Sequence, residues 1–423
     1  NFAINSLNHP NGLIDPALVF VALPRRIAFL AKSTLFKMPV ISFLLKTVDA
    51  LPVYRRIDAG VDVSQNLKTF SAARDLLRRG GSIAIFPEGV SHNSTKLLPA
   101  KTGAARIALG AASLGSDPID IRFVPVGLYY TSKTTFRSEA LLHFGEAFAV
   151  PAVTLDEHGA PPREAVRELT AKIESALRDV TLNAETDAEI AAADIAHSVF
   201  ASGDAVALNQ KLAFLRTYLQ TTADASVPDE VAGLAERLRR FDEKLDAIGI
   251  QPEHLSLARF SRGSVVRQAI IQTWYLVILF PFAVIGTLLH APAYQVTKLL
   301  ARIYARHGAD DVASTVKVLA GMVFMPLTWI VAAVIIYMYA GWQWALASMP
   351  ISFFTGWVAL VTLEYFEEYR GWARAIATFF TDRDRFLRLY VERGDIQAGL
   401  PRIEAAIQTQ NGPGRTISPQ PEP

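Results

Sequence analysis

The sequence predicts an α/β domain with helices covering a central sheet, followed by a helical extension and C-terminal transmembrane helices. Three observations carry that prediction. In residues 1–150, short β-branched runs (Ser82–Phe86, Ile121–Leu128) alternate with helical stretches (Ser71–Arg79, Ala104–Leu114). In residues 151–262, Arg163–Asp179, Asp187–Phe200 and Val231–Ile248 show helical periodicity with acidic outer faces. In residues 263–368, the chain is free of charge from Gln268 to Thr297 and again from Val318 to Leu363.

A spanning helix needs about 20 apolar residues, so the second run, 46 residues long, holds two spans. They divide at Gly341-Trp342-Gln343-Trp344 into 318–340 and 345–363, with the Trp pair as an interfacial turn. The first run contains Pro281 and Pro292 and reads as one kinked span or as a re-entrant hairpin bent at Pro281. Charge favours the hairpin. Lys298, Arg302, Arg306 and Lys317 precede the later pair, and Arg370, Arg374, Arg383, Arg385 and Arg388 follow it. A re-entrant segment keeps both clusters on one face. Residues 369–423 read as a basic helix and a disordered tail.

Composition narrows the function classes. With 51% hydrophobic residues, 19% charged and a mean hydropathy of +0.24, the chain is neither disordered nor collagen-like. It has no cysteine, which excludes disulfides, thiolate metal sites and a cysteine nucleophile. Residues 1–150 carry 17 Lys/Arg against 10 Asp/Glu, whereas residues 151–262 carry 12 against 19. The basic first third suits an anionic ligand or membrane surface. No basic run with interleaved aromatics speaks for nucleic acid. Arginine outnumbers lysine 30 to 12 in an alanine-rich chain, the composition of a GC-rich bacterial genome. The chain starts at Asn1 without an initiator Met and meets its first motif at once, so it reads as having lost an N-terminal segment. No secretory leader pattern is visible.

Two clusters carry chemistry. In Asn8-His9-Pro10-Asn11-Gly12-Leu13-Ile14-Asp15-Pro16, a carboxylate can fix the imidazole tautomer while the histidine takes a proton from a hydroxyl. Six residues of continuous helix would turn through about 600°, so the two side chains meet only if Pro10-Asn11-Gly12 bends the chain. The same residues also make an Asp-Pro helix start and an ordinary turn histidine. The second cluster, Ser82-Ile83-Ala84-Ile85-Phe86-Pro87-Glu88-Gly89, is a strand opening into a loop, where α/β sheets place ligand contacts. Ser91-His92 and Leu97 to Gly103 follow. Glu88 could bond a substrate hydroxyl and Lys101 a phosphate; the alternative is a turn with a solvated Glu.

These blocks resemble the glycerol-phosphate and lysophospholipid acyltransferase family, and their order is the family's. His9 and Asp15 look like its catalytic pair. Pro52-Val53-Tyr54-Arg55-Arg56 looks like its phosphate-binding block, Phe86-Pro87-Glu88-Gly89 with Ser91 like its third, and Val124-Pro125-Val126-Gly127 like its fourth. Lys133 to Ser138 and Phe144-Gly145-Glu146 are similar to a stretch near the end of the family's acyltransferase domain, and Asp311–Met325 is similar to the membrane-proximal part of the fungal-type glycerol-3-phosphate and dihydroxyacetone-phosphate acyltransferases. The family mostly has four residues between His and Asp; here there are five, a form similar to that of the fungal-type subgroup.

The resemblance implies acyl transfer from acyl-CoA or acyl-carrier protein to a glycerol phosphate, with His9 as general base oriented by Asp15. It implies a substrate site formed by Arg55, Arg56, Phe86, Pro87, Glu88, Gly89, Ser91, Lys101, Pro125, Lys133 and Arg137, with Lys133 and Arg137 serving equally well as contacts to anionic lipid. It implies membrane lipid as a partner, no metal or resident cofactor, and a catalytic domain on the cytoplasmic face of a membrane, the inner membrane in a bacterium. The runner-up acceptor is a lysophospholipid such as 1-acylglycerol-3-phosphate. A lipid hydrolase would need a serine nucleophile, and the chain has no Gly-x-Ser-x-Gly. An inactive scaffold of the same fold would lose nothing when His9 is changed.

Overall fold

The computed structural model describes residues 2–37, 39–55, 58, 60–113, 119–132, 138–200, 207–222, 229–250, 252, 255, 262–305 and 310–411. The chain forms two compact units: residues 1–185 with 308–315, and the remainder.

The first unit is built on a seven-stranded mixed sheet. Strands β1 (Phe2–Leu7), β2 (Ala28–Lys32), β3 (Leu51–Val53), β4 (Ser82–Ile85) and β5 (Ile121–Tyr130) run parallel in the order β3-β2-β4-β1-β5. β6 (Ala140–Phe144) and β7 (Phe148–Ala149) pair antiparallel with β5. Central β4 is buried along its whole length and is therefore Ser-Ile-Ala-Ile rather than an alternating pattern.

Strand order fixes which helix covers which face. The chain moves one way across the sheet through α1 (Ile14–Ala22) and α2 (Pro39–Thr47), then back through α3 (Asn66–Arg78) and α4 (Gly103–Ser113). Right-handed crossovers therefore put α1 and α2 on one face and α3 and α4 on the other. The core divides in the same way. Ile83, Ile121 and Phe123 pack with Ala73 and Leu77 of α3 and the small residues of α4. Leu7, Phe29 and Val126 pack with Val19 of α1 and with Val48 and Ala50 just after α2.

Helix α5 (Arg163–Val180) corrects the expected boundary at residue 150. Its apolar positions Val166, Leu169, Ile173, Leu177 and Val180 recur at three- and four-residue spacing and are all buried in the α3–α4 side of the core. The acidic exterior that marked it as part of the extension is simply its solvent face. The end of α5 also explains Gly127 of the fourth block: a Cβ there would lie 1.9 Å from the Val180 carbonyl oxygen.

In the second unit, α6 (Asp187–Phe200), α7 (Leu208–Thr222), α8 (Asp229–Asp246) and α12 (Arg383–Asn411) form a helical cluster. Buried Arg393 of α12 donates to the carbonyls of Val199, Pro252 and Leu255, so the orphan end of α6 is capped from a distant helix. Three helices are long and apolar enough to cross a membrane: α9 (Arg262–Ala305), α10 (Asp310–Ala340) and α11 (Trp342–Thr381). Gly341, at φ 87°, makes the break between the last two, as the Gly-Trp punctuation predicts. The hairpin expected at Pro281 is not formed: α9 runs unbroken through Pro281 and Pro292. Each proline removes one backbone donor, a loss that neighbouring helices can offset in such a helix. Here α11 lies close along α9: a Cβ on Gly286 would sit 2.0 Å from the Thr355 carbonyl oxygen. The expected basic helix from 369 is the end of α11 together with α12, and the tail beyond 411 lies outside the described residues.

Candidate active site

The loops after β1 and β4 leave the sheet side by side, because those strands pair in parallel with Ser6 opposite Ile85. That places Asn8–Leu13 against Phe86–Gly89. The bend required between His9 and Asp15 is present: Asp15 N–H bonds the Asn11 carbonyl as α1 begins, and the fully buried Asp15 carboxylate turns back on the loop. His9 Nδ1 lies 2.8 Å from Asp15 Oδ2, which also accepts from Asn11 N–H at 2.8 Å. Tyr130, at the end of β5, donates its hydroxyl to Asp15 Oδ1 at 2.6 Å.

Burial pushes the Asp15 carboxyl above its usual range, and the bonds from His9, Tyr130 and Asn11 oppose that rise. Burial and the neighbouring Asp15 push the Tyr130 phenol far up, so it remains a donor. Asp15 engages Nδ1 of the ring and leaves Nε2 as the nitrogen not bonded to it. The ring stacks on Phe86 at 4.1 Å between centroids, which fixes its plane.

Glu88 does not face a substrate. It is buried, and its oxygens are fully engaged: Oε1 accepts from His9 N–H at 2.9 Å, and Oε2 accepts from Leu98 N–H at 2.8 Å and pairs with His92 Nε2. His92 N–H in turn bonds the His9 carbonyl at 3.1 Å. The Pro-Glu-Gly block thus holds the histidine's backbone, while the Asp block holds its ring. Gly89 adopts φ 75°, the left-handed turn that closes this loop. Asn8 locks the same loop to β5, its side chain exchanging two bonds with the Leu128 backbone.

Arg55 joins the second block to the third. Nη1 donates to the Gly89 carbonyl at 3.0 Å, while Nε and Nη2 grip Asp58, which Lys32 also meets at 3.1 Å. The Arg55 guanidinium is the main cause of an Asp58 carboxyl held below its usual range. The fork expected to be open to phosphate is therefore occupied by a carboxylate. Lys101 is exposed, its stem beside Gly89, and Ser91 and Pro87 lie on the same loop. Pro125 is buried within β5, its carbonyl taken by Gly145 N–H, and its contribution is to the sheet. Arg56, Lys133 and Arg137 lie outside the described residues. Sequence reasoning missed Tyr130 and Asn8; a Tyr closing a strand and an Asn before the His carry no local signal of their partners. Leu13 N–H, at the start of α1, bonds Thr315 Oγ1 at 3.0 Å.

Residues 3–129 match the Acyltransferase family, and residues 195–371 match the glycerol-3-phosphate acyltransferase 2 C-terminal domain. The chain is 26% identical over 295 residues to glycerol-3-phosphate O-acyltransferase 2 of Saccharomyces cerevisiae, covering 65% of this chain and 39% of the relative. It is 27% identical over 277 residues to glycerol-3-phosphate O-acyltransferase 1 of the same yeast, covering 62% and 36%. An uncharacterized acyltransferase of Schizosaccharomyces pombe is 28% identical over 277 residues, with 62% and 40% covered. The matched part is thus well under half the length of each relative. The chain is thus similar in its first part to the Acyltransferase family and further on to the glycerol-3-phosphate acyltransferase 2 C-terminal domain, in that order.

Proposed function

We propose that this protein is an O-acyltransferase that moves a fatty acyl group from a thioester, acyl-CoA or acyl-carrier protein, to a hydroxyl of glycerol-3-phosphate. The observation that carries the reading is the His9–Asp15–Tyr130 chain, in which Asp15 holds one imidazole nitrogen and leaves the other for a substrate. His9 Nε2 takes the hydroxyl proton as the acceptor oxygen attacks the thioester carbonyl. The tetrahedral intermediate collapses, the C–S bond breaks, and the proton passes from the imidazolium to the departing thiolate. No covalent enzyme intermediate is needed. General-base catalysis contributes about 10²–10⁴-fold, so positioning by the Glu88 loop and stabilisation of the oxyanion supply the rest.

His9→Ala is expected to lower transfer from labelled acyl-CoA to glycerol-3-phosphate by about 10²–10⁴-fold in membranes containing the full chain. Transfer unchanged in that variant overturns the mechanism and supports the inactive-scaffold reading. Product formed only from 1-acylglycerol-3-phosphate moves the enzyme to the second acylation.

The second unit supports a sidedness. Helix α8 precedes the three apolar helices and α12 follows them, yet Lys244 of α8 and Glu392 of α12 form an ion pair at 2.6 Å. α8 and α12 therefore stand on the same side of a membrane, and the uncharged turn between α10 and α11 stands on the other, with the basic residues of α12 marking the cytoplasmic side. Because the chain has no cysteine, single cysteines can report this in sealed vesicles. Cysteines at Glu243 and Arg385 should react from the same side and one at Gln343 from the other; opposite reactivity at 243 and 385 overturns this sidedness.

A further inference from the structure

The α1–α2 face of the first unit is unlike its other face. The opposite side is closed by α3, α4 and α5, whereas this side has two nine-residue helices that each expose large apolar side chains. Phe20 and Val21 of α1 and Phe43 of α2 are 49%, 82% and 68% exposed. A cavity of about 610 Å³ opens at the amino-terminal edge of β2, β3 and β4, the edge remote from His9 and Glu88. Arg26, Lys46 and Arg79 line it above a floor that includes Ala50, Leu51 and Leu76. Among the described residues no carboxylate pairs with any of these three cations, although Asp49 also lines the cavity. Ser82, whose buried hydroxyl has no partner, lines it as well.

The apolar and cationic features belong to one surface. Phe43 and Lys46 are one helical turn apart on α2, and Val21 is followed within five residues by exposed Arg25 and Arg26. At its other end, α1 begins at Leu13, whose N–H is bonded to Thr315, the residue at which the apolar span Thr315–Ala340 opens. The face thus runs from the loop that carries His9 to a rim of cations. Aromatic and aliphatic side chains with cations beside them suit the boundary between acyl chains and anionic head groups.

We propose that the α1–α2 face docks on an anionic phospholipid bilayer, with Phe20, Val21 and Phe43 entering the acyl boundary and a head-group phosphate seated among Arg26, Lys46 and Arg79. The apolar helices already tether the unit to a membrane, so docking is intramolecular and needs little affinity of its own. Its effect is to hold the His9 loop, which leads into α1, beside the surface where an acylated product must leave. This use rests on the acyltransferase reading; the docking itself does not.

The test uses the full chain in nanodiscs with one cysteine at Val21, Phe43 or, as a control, exposed Arg167 on α5. Each is labelled with an environment-sensitive fluorophore. Discs contain phosphatidylcholine alone or with phosphatidylglycerol, with or without a lipid quencher placed near the head group. Labels at 21 and 43 should be quenched in the anionic discs and the label at 167 should not. Each cation changed to Ala (Arg26, Lys46, Arg79) should lower the docked-to-free ratio about fivefold, the equivalent of about 1 kcal/mol per basic residue. Quenching no greater at 21 and 43 than at 167 overturns the proposal. Quenching that is equal in neutral discs, or that inorganic phosphate abolishes without the anionic lipid, overturns the head-group seat. The readout is independent of acyl transfer, so it survives a failure of the proposed function.

Discussion

Two buried carboxylates hold one histidine, in different ways. Asp15 and Glu88 are both sealed from solvent, and each gathers three donors. Asp15 takes the ring nitrogen of His9, and its remaining donors, Asn11 and Tyr130, serve to keep that carboxylate in place. Glu88 takes the backbone N–H of His9, and its remaining donors tie down the loop that carries His92 and Leu98. One acts on the imidazole ring proposed to move a proton; the other acts on where that ring stands. The lesson is that burial alone does not distinguish a chemical role from a positional one, but the atom that is held does.

Substitutions should separate the two roles. Asp15→Asn removes the charge that fixes the tautomer, and kcat should fall by about 10³-fold or more. Stability should not fall with it. A carboxyl whose folded value is raised binds its proton more tightly in the folded state. Its contribution to stability is therefore lost as pH rises from the ordinary carboxylate range through the raised value. At neutral pH the buried charge is a cost, so the amide variant should melt at the same temperature as wild type or higher. Glu88→Gln should do the reverse. An amide nitrogen must face His9 N–H, or Leu98 N–H and the His92 ring, leaving donors opposed at a cost of about 1–3 kcal/mol. Thermal unfolding should shift down, while kcat falls less than in Asp15→Asn. A stable Glu88→Gln protein with the larger kcat loss would put Glu88 on the substrate and end the comparison.

How much of this could be read in the sequence follows the same division. His9, Asp15 and the Phe86–Gly89 strand end are legible because their chemistry is local: a bend in the first, a buried strand opening into a loop in the second. The role of Glu88 was misread because a glutamate before glycine looks solvated until the loop after β1 is known to lie on top of it. Arg55 was expected to be open to phosphate because Asp58, three residues on, gives no sign of closing a bidentate pair. Among the helices, α5 was assigned to the wrong unit although its period was correct. An acidic outer face describes what solvent sees, and the stripe from Val166 to Val180 does not say which core it fills. Proline was over-read in α9, where Pro281 and Pro292 cost two donors without turning the chain back.

The smallest effect lies furthest from the histidine, at Tyr130, and it sharpens the comparison most finely. Its hydroxyl touches neither His9 nor a substrate position; it acts only through Asp15 Oδ1, across 115 residues of sequence. Tyr130→Phe leaves the ring in the sheet and removes one donor that favours the ionised carboxylate. The Asp15 carboxyl, already raised by burial, should rise further. The proposed mechanism needs Asp15 ionised, so the acid limb of kcat should move to higher pH, by about half to one pH unit for a bond worth about 1 kcal/mol. On the alkaline plateau the rate should approach that of wild type. An acid limb that stays in place, with a uniform loss of rate at every pH, would make Tyr130 a packing residue and leave Asp15 held by His9 and Asn11 alone.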